Sequence, residues 1–498
     1  LLLGGGRAAD AGHWLLLWEP VSPLDALELL EPRTGADPLV LQYAMRVLER
    51  HPVELVFFYI PQVVQALRWD HAGYIEEFIL HTTRLSQLFC HQVIWNMKAN
   101  TYKDDNGEEP DPLKPTLDRI VDAIVGGLSG GAKEFYEREF SFFEAVTSIS
   151  GKLRPFIKKS KPEKKAKIDE ELSRIRLEPG VYLPSNPDSV VVDLGRTSGR
   201  PLQSAAKAPF MASFKVRRVA PVSEDEPEHA EPRYETVWQG AIFKVGDDCR
   251  QDMLALQVIA QFKNIFMAIG LDVYVNPYRV TATAPGCGVI DLVPNATSRD
   301  EMGRAKINDL LTFYTDSYGP VDSTSFQRAR VNFIQSMAAY SVIGHILQVR
   351  DRHNGNIMID GEGHLVHIDF GFLFDIGPGG MRFEPYSFKL SHEMVAVMGG
   401  HDSPGFRMFE ELVVKCFLAC RPFAKEITAT CGLMLGTDLP SFKGPATLDR
   451  LYERFKPELS ERDAARHAQA LVRDAYGNMR ATVYDFIQAK QNAIPYRR

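Results

Sequence analysis

The chain has 498 residues, of which 45% are hydrophobic and 24% are charged, and its formal net charge is −7. This composition is typical of a soluble globular protein with about three domain-sized units, and the mild acidity gives no global field that would attract nucleic acid. The six cysteines form no C-x-x-C pair, which favours a reducing cytosol over secretion. No apolar run reaches the ~18 residues that a membrane helix needs. The first residue is not Met, so we expect the chain to be the C-terminal part of a longer protein.

The N-terminal region is predicted to form short consecutive helices. Ser22-Pro23 and Asp37-Pro38 each place a capping side chain before a proline at the first helical position. Pro61 is expected to split the apolar stretch Pro52–Trp69 into two helices. Two amphipathic helices are predicted next, at about 74–84 and 85–97. Such paired helices predict a stacked solenoid, which can be purely structural or can bind a partner.

A charged, proline-bearing stretch, Thr101–Pro115, is predicted to be a linker, and helices are expected to resume at 117–128 and 132–149. A basic run follows, with Glu163 as its opposing charge. Its members are Lys152, Arg154, Lys158, Lys159, Lys161, Lys164, Lys165 and Lys167. Such a run is either a solvated face or loop, or a contact with anionic lipid, for which four to eight basic residues are the known footprint.

Strands are predicted from about residue 181 onward. Segments near Val181 and at 190–194 come first, and the acidic insert Glu224–Glu231 is expected to be a loop. The apolar strand Ala241–Lys244 ends in a lysine and is followed by a turn and a helix from about Arg250 to Gly270. Further strands are predicted at 274–280 and 288–293, and helices at 326–346 and after residue 393.

Two polar clusters flank a predicted hairpin. Asp351-Arg-His-Asn-Gly-Asn356 precedes it, and His367-Ile-Asp-Phe-Gly371 follows it. Between them, short apolar stretches at 357–359 and 365–366 are joined by Asp-Gly-Glu-Gly, which predicts a turn between strands. Because a hairpin brings its outer ends together, Asp351, Asn356 and Asp369 are expected to converge.

Three converging oxygen-bearing side chains suit Mg²⁺. The spacing D-x-x-x-x-N followed by D-F-G matches the kinase template, in which Asn and the second Asp bind metal and the first Asp accepts the hydroxyl proton. The protein-kinase order His-Arg-Asp is replaced here by Asp351-Arg352-His353, and neither a G-x-G-x-x-G nor a Walker A sequence occurs. Asn-Gly alone signals a turn and D-F-G arises by chance, but together they indicate phosphoryl transfer.

D-R-H-N-x-N with H-I-D-F-G resembles the phosphatidylinositol 3-/4-kinase superfamily. Three further stretches, Gln42–Arg50, Lys158–Ile168 and Asp485–Tyr496, are similar to the alpha branch of the type III phosphatidylinositol 4-kinases. The resemblance extends from about Trp18 to the C-terminus. It implies an α+β fold: a bilobal kinase with a small β-rich lobe and a large helical lobe, preceded by an all-α accessory domain.

The resemblance implies roles for the residues of the two motifs. Asp351 is expected to be the general base, and His353 is expected to be its partner in proton transfer or a γ-phosphate contact. The alternative in which His353 is the base stays open. Arg352 is counted among the catalytic residues. Asn356 and Asp369 are expected to bind Mg²⁺, with Mn²⁺ as the alternative ion.

The resemblance also implies an ATP site. Lys244 is expected to bind ATP phosphate and to be held by Asp252. Pro209–Lys215 occupies the place of the phosphate-binding loop, which makes Ser213 and Lys215 candidates; read without the resemblance, the segment is the end of a strand. Val293 would bind adenine through its backbone at the hinge, with Asp291 beside it and Tyr278 deeper.

The predicted function is therefore transfer of the ATP γ-phosphate to the 4-hydroxyl of phosphatidylinositol at a membrane surface. The alternatives are a phosphatidylinositol-3-kinase-related protein kinase and a non-catalytic scaffold. The resemblance further implies a cytoplasmic protein peripheral at membranes, the plasma membrane foremost, with scaffold or regulatory partners on its helical regions and no nucleic-acid partner.

Four domains are predicted: the accessory domain at 1–115, a helical and basic linker region at 116–180, the small lobe at 181–293 and the large lobe at 294–498. The last includes an amphipathic helix at 479–494 that packs on the large lobe or touches the membrane. The loop Phe370–Ser391 balances Arg382 and Lys389 against Asp375 and Glu384. Its formal neutrality predicts a preference for phosphatidylinositol over forms that already carry ring phosphates. The alternative is an ordinary mobile loop, with the charge of the head group recognised elsewhere, for example by the run Lys152–Lys167.

Overall fold

The computed structural model describes residues 15–476, except residues 16, 31–36, 179, 203–206, 221–232, 308, 375 and 378–387. The chain divides into two compact units. The first contains residues up to Met253 together with Tyr278–Leu292 and Gly436–Asp438, and the second contains Leu254–Pro277, Val293–Leu435 and residues from Leu439 onward. The predicted acidic insert and C-terminal amphipathic helix lie outside the described residues.

The helices of the first unit begin where the capping pattern predicts. The Ser22 hydroxyl accepts the N–H of Asp25, and the Asp37 carboxylate accepts that of Leu39. Pro61 lies in the first turn of a helix, so the chain is split there as predicted. The helices are α1 (Pro23–Leu29), α2 (Pro38–Arg50), α3 (Val53–Phe57), α4 (Ile60–Ala66), α5 (Tyr74–Leu85), α6 (Gln87–Ala99), α7 (Lys114–Gly127), α8 (Gly130–Leu153) and α9 (Lys161–Arg174).

These helices pack on one another, and their arrangement as a solenoid stays a prediction. Helix α1 packs on α2, α2 on α5, and α5 on α6 and α7. Helix α6 lies at the centre, between α4 and the sheet of the same unit, where it contacts residues of a strand at Val280–Ala284. The helical region and the sheet therefore form one compact unit, and the boundaries predicted at 115 and 180 do not separate units. The four-domain division stays a prediction.

The sheet of the first unit is antiparallel, and its spatial order is β1-β2-β4-β5-β7-β6, with β3 beside β4. Its strands are β1 (Tyr182–Leu183), β2 (Asn186–Leu194), β3 (Arg200–Pro201), β4 (Phe210–Val219), β5 (Tyr234–Val245), β6 (Val280–Ala284) and β7 (Cys287–Asp291). One face is buried against α8 and α9, where Phe142, Phe143 and Ile168 pack with Phe210, Phe214 and Phe243. Burial alternates along β4, as expected for a strand with one covered face.

Two sequence predictions for this unit are wrong, and a third segment follows one of its two alternatives. Strand β4 begins at Phe210, so Pro209–Lys215 is the end of a strand, and its role in phosphate binding stays a prediction. The connection from β3 is residues 202–209, and the Leu202 N–H donates to the Pro209 carbonyl at 3.0 Å. The segment predicted as a strand at 274–280 joins the sheet only at Val280. Thr101–Pro115 is not a linker: Tyr102 pairs with Pro110 in a β-bridge, and α7 has begun by Lys114.

The basic run lies partly on α9. The Ser160–Glu163 capping box starts that helix, and Lys165 pairs with Asp169 while Lys167 pairs with Glu170 and Glu171. Ion pairs at this spacing stabilise a helix. The solvated-face interpretation is therefore supported for these two lysines, and contact with anionic lipid stays a prediction.

Helix α10 (Arg250–Ala268) begins in the first unit and ends in the second. The second unit continues with α11 (Arg299–Arg304), α12 (Leu310–Tyr318), α13 (Thr324–Leu347), α14 (His392–Met398), α15 (Pro404–Cys420), α16 (Ala424–Gly432), α17 (Ala446–Arg454) and α18 (Glu461–Tyr476). Its strands are β8 (Thr297–Ser298), β9 (Ile357–Ile359) and β10 (Leu365–His367), in the spatial order β10-β9-β8. Helix α13 is buried along its C-terminal half and packs on α15 and β10, so it forms the core beneath the strands.

Candidate active site

The predicted hairpin is confirmed. Strands β9 and β10 are antiparallel, with Leu365 opposite Ile359 and His367 opposite Ile357. The turn is closed by Asp360, whose carboxylate accepts the N–H groups of Glu362 and His364, both at 2.9 Å. Burial would raise the pKa of Asp360, but the hydrogen bonds, led by that of His364, hold it below its usual value. A rigid turn fixes the register of the hairpin and so the placement of its two outer ends.

The outer ends meet as expected. Asn356 precedes β9, Asp369 follows β10, and the Ile368 N–H donates to the Asn356 carbonyl at 3.1 Å. The Asn356 amide nitrogen donates to the Asp351 carbonyl at 2.9 Å, so the amide oxygen is the atom that could bind a metal ion. We call Asp351–Asn356 the catalytic loop. The convergence predicted from the spacing is thus present in the second unit.

Both acidic residues adopt left-handed backbone conformations. The φ angle is 59° at Asp351 and 62° at Asp369. Such conformations at residues other than glycine cost of order 1–3 kcal/mol each and persist only where the surroundings enforce them. The fold therefore holds these two residues in unusual conformations, which is a feature of functional sites.

Arg352 enforces this arrangement. It is 2% exposed, and its guanidinium donates to the Arg350 carbonyl at 2.9 Å and to the Ile368 carbonyl at 2.7 Å, and also to those of Asn356 and Asp369. These contacts tie the catalytic loop to the segment that carries Asp369. The guanidinium contacts with backbone carbonyls indicate a positioning role, and the catalytic role expected for Arg352 stays a prediction.

His353 lies beside Asp351 as a neutral ring. Its Nδ1 accepts the Gly355 N–H at 3.0 Å, so the ring proton is on Nε2, which is 3.8 Å from Asp351 Oδ2. Burial lowers the pKa of His353, against the opposing effect of the Asp351 carboxylate. The Nε2–H of the imidazole can therefore orient the carboxylate.

Lys389 is buried against the catalytic loop, which the sequence did not predict. It is 4% exposed, and its Nζ donates to the Arg352 carbonyl at 3.1 Å and to Asn354 Oδ1 at 3.4 Å. It therefore supports the catalytic loop through hydrogen bonds. Because it is buried, it is not one of the charges of the segment Phe370–Ser391 that could contact a lipid head group. In the sequence, the available signal was a lysine between two apolar residues, Phe388 and Leu390. A lysine that is buried there needs polar partners.

The candidate ATP-phosphate residues of the first unit share one face of the sheet. Ser213 and Lys215 pair with Gly240 and Trp238 of β5, and Lys244 lies four residues beyond Gly240 on the same strand. Residues two apart on a strand face the same way, so Ser213, Lys215 and Lys244 all lie opposite the buried core face. Lys244 Nζ is 3.3 Å from Asp247 Oδ2.

The remaining predicted nucleotide residues have distinct surroundings. Asp252 is buried in the first turn of α10, and its pairing with Lys244 stays a prediction. Tyr278 is half-buried before β6, and Val293 is buried just after β7, in the second unit. Asp291 accepts the Ser185 hydroxyl, and burial raises its pKa to about 6. Their contacts with nucleotide stay predictions.

Comparisons with known proteins agree with this geometry. The family described as phosphatidylinositol 3- and 4-kinase matches residues 238–444, and the accessory (PIK) domain of the phosphoinositide 3-kinase family matches residues 6–137. The first match contains Lys244 and the catalytic loop, and the second contains helices α1–α6. The predicted α+β kinase fold behind a helical accessory domain is confirmed.

Several curated proteins are similar to this chain. Phosphatidylinositol 4-kinase stt4 of Schizosaccharomyces pombe is 56% identical over 97% of the chain and 26% of its own length. Phosphatidylinositol 4-kinase STT4 of Saccharomyces cerevisiae is 53% identical over 97% of the chain and 25% of its own length. The human putative phosphatidylinositol 4-kinase alpha-like protein P2 is 42% identical over 78% of the chain and 71% of its own length.

The chain thus spans about a quarter of the length of the two fungal relatives and most of the human one. The motif residues, the family matches and the extent of identity agree. The chain belongs to the phosphatidylinositol 3- and 4-kinase family, within its phosphatidylinositol 4-kinase alpha branch.

Proposed function

We propose that the chain is the catalytic region of a lipid kinase that transfers the ATP γ-phosphate to the 4-hydroxyl of phosphatidylinositol. The observation that carries this proposal is the convergence of Asp351, Asn356 and Asp369 around the buried Arg352. The names of the relatives support the 4-position, which no residue contact specifies.

The donor set fits a magnesium ion. An amide oxygen of Asn356 and a carboxylate of Asp369 are hard oxygen ligands, and Mg²⁺ takes few such ligands from protein and completes its shell with phosphate and water. Mn²⁺ accepts the same donors. When bound, the ion neutralises phosphate charge.

The protein's own residues supply positioning and proton transfer. Asp351 accepts the proton of the attacking ring hydroxyl, and the Nε2–H of the neutral His353, 3.8 Å from that carboxylate, orients it; the alternative role for His353 is contact with the γ-phosphate. Lys244 binds ATP phosphate from its strand, with Asp247 at 3.3 Å limiting the motion of the ammonium group. Arg352 and Lys389 hold the loop in its strained conformation, so that little reorganisation is needed during the reaction.

The substrate lies in a membrane, so we propose peripheral membrane contact, with the plasma membrane as its site. Among the described residues, no helix is long and apolar enough to cross a bilayer. Lys158 and Lys161, near the start of α9, are candidates for contact with anionic lipid, and the stacked helices α1–α6 are proposed to bind scaffold or regulatory proteins. We propose no nucleic-acid partner, in keeping with the net charge of −7.

The buried position of Lys389 sharpens the substrate prediction. Without it, Phe370–Ser391 has one basic residue, Arg382, against Asp375 and Glu384; these three lie outside the described residues. Such a loop offers no cation cluster for a head group with ring phosphates. We therefore propose that unphosphorylated phosphatidylinositol is preferred over its bisphosphate.

The test is incubation of the chain with phosphatidylinositol vesicles and labelled ATP, followed by separation of the positional isomers. Phosphatidylinositol 4-phosphate is the expected product, and the 3-phosphate would overturn the assignment of position. Phosphorylation of protein substrates alone would favour a protein kinase, and no ATP use would favour a scaffold. Comparable kcat/KM for phosphatidylinositol and its bisphosphate would refute the substrate preference.

A further inference from the structure

The helical region reaches the turn that follows Lys244 through a continuous set of buried polar side chains. Residues Gly246–Asp248 form this turn, and Arg250 begins α10 just after it. We call the loop Thr101–Asp111, between α6 and α7, the accessory loop. All of these residues belong to the first compact unit.

Arg250 connects the turn to the helical region. It is 7% exposed; its Nε lies 3.0 Å from both carboxylate oxygens of Asp248, and its Nη2 lies 2.7 Å from Oδ2. The same guanidinium donates to Asn100 Oδ1 at 3.4 Å and to the Lys103 carbonyl at 3.1 Å. Arg250 therefore binds the turn through Asp248. It also binds the end of α6 through Asn100 and the accessory loop through the Lys103 carbonyl.

The connection continues into the helical region. Gln65 Nε2 donates to Asn100 Oδ1 at 3.1 Å, and Gln65 Oε1 accepts Arg68 Nε at 2.8 Å. Arg68 makes a two-pronged ion pair with Asp111 at 2.8 Å. Gln65, Asn100 and Asp111 are 0%, 2% and 2% exposed. Buried hydrogen bonds of this kind are costly to break, since a group that loses its partner stays desolvated.

A second contact supports the same turn through backbone. The N–H groups of Gly246 and Asp247 donate to the Gly286 carbonyl at 2.6 and 2.9 Å. The accessory loop lies directly against Gly286: a Cβ at that position would be 2.4 Å from the Asp105 carbonyl oxygen. The accessory loop thus contacts both Arg250 and Gly286, which lies between β6 and β7 and accepts the hydrogen bonds of the turn 246–248.

We propose that Gln65, Arg68, Asn100 and Asp111 are positioning residues for ATP. They fix the turn whose Asp247 is ion-paired with Lys244, and through it the phosphate-binding ammonium group. The helical region thereby sets the affinity for nucleotide, in addition to any role in binding partners. This inference rests on the proposed function, because it assumes that Lys244 binds ATP phosphate.

The test is a set of variants of the full chain. Asn100→Leu removes the acceptor shared by Gln65 and Arg250. It is expected to raise the KM for ATP and the Kd for ADP about tenfold, the size of one lost buried hydrogen bond to a charged group. The KM for phosphatidylinositol is expected to change less than about twofold, because no lipid-binding group is displaced. Gln65→Leu should raise the KM for ATP as well, and the double variant should be no worse than Asn100→Leu, since the two residues act in series.

The matched controls are Val93→Ala and Arg119→Ala. Val93 is fully buried in α6 but outside the polar set, so its truncation reports general destabilisation. Arg119 pairs with Glu76 on the surface of the same helical region. If Val93→Ala raises the Kd for ADP as much as Asn100→Leu at an equal loss of Tm, the positioning role is overturned. An unchanged Kd for ADP in Asn100→Leu overturns it as well, whereas absence of ADP binding by the unmodified chain would overturn the proposed function itself.

Discussion

The catalytic loop and the accessory loop are given their shapes by opposite means. In the catalytic loop, the buried cation of Arg352 gathers backbone carbonyls, and Asp351 is held at a φ of 59°. In the accessory loop, the carboxylate of Asp104 gathers the N–H groups of Asn106, Glu108 and Glu109, and the positive φ of 71° falls on Gly107.

This difference predicts which substitutions should disturb the conformation of each loop. The catalytic loop has backbone strain at Asp351, and besides its own Arg352 it depends on the buried Lys389 from elsewhere in the chain. The accessory loop is closed locally, with its left-handed residue a glycine, so little strain is stored. Changes that touch the catalytic loop should therefore act on turnover, and changes in the accessory loop should act on nucleotide affinity.

The largest effect is expected for Asp369→Asn, which removes the charge of a metal ligand. Turnover should fall by about 10²–10³-fold with Tm almost unchanged, because the side chain keeps its size and the backbone is held by Arg352. Labelled phosphate transfer and a thermal melt measure the two quantities. Glu362→Gln, on the exposed hairpin turn, is the control and should keep full activity. Turnover of Asp369→Asn above about one per cent of the unmodified chain would refute the metal assignment.

Lys389→Met should reduce kcat by about tenfold, since two acceptors of the catalytic loop lose a charged donor. The KM for ATP should change less than about twofold, because Lys389 binds the loop and not nucleotide. Lys389→Arg should recover part of the kcat by restoring a donor. An equal rise in the KM for ATP would place Lys389 in nucleotide binding instead.

Asp104→Ala should loosen the accessory loop and raise the KM for ATP about threefold, with kcat unchanged, because only the support of the Lys244 turn is weakened. Amide hydrogen exchange at Asn106, Glu108 and Glu109 should become faster in the same variant. Glu108→Gln keeps the backbone donors and is the control. Faster exchange with an unchanged KM would show that the accessory loop is not coupled to nucleotide affinity.

The smallest effect is expected from Asp291→Asn, which should change how the stability of the fold depends on pH. The pKa of Asp291 is raised by burial to about 6 in the folded state, above the ~3.9 of an unfolded chain. The folded state therefore binds the proton more tightly, and the contribution of Asp291 to stability is lost as pH rises from about 4 through 6. Asp291→Asn should raise Tm by a few degrees near pH 7.5 and by less near pH 5. An equal change at both values would contradict the raised pKa.

Sequence reasoning recovered most of the helices, the hairpin at 357–367 and the convergence at its ends. Helix caps such as Ser22 and Asp37 are local signals, and so is the alternation of apolar residues. Both can be recognised in the sequence without knowledge of the fold. It missed the contacts of the accessory loop with other segments and the burial of Lys389. In both cases the partner is distant in the sequence: the accessory loop lies against Gly286, and Lys389 binds the catalytic loop.

The sequence by itself determined the chemistry of the site, because the spacing of Asp351, Asn356 and Asp369 around one hairpin leaves a single way for them to meet. Only the tertiary structure decided which residues hold that chemistry in place. The guanidinium of Arg352 binds backbone carbonyls of two segments, and Thr101–Pro115, which was expected to be a linker, contacts Arg250 through the Lys103 carbonyl. The physical reason is that hydrogen bonds between distant segments depend on how helices and sheet pack, and that packing is not encoded in any local spacing.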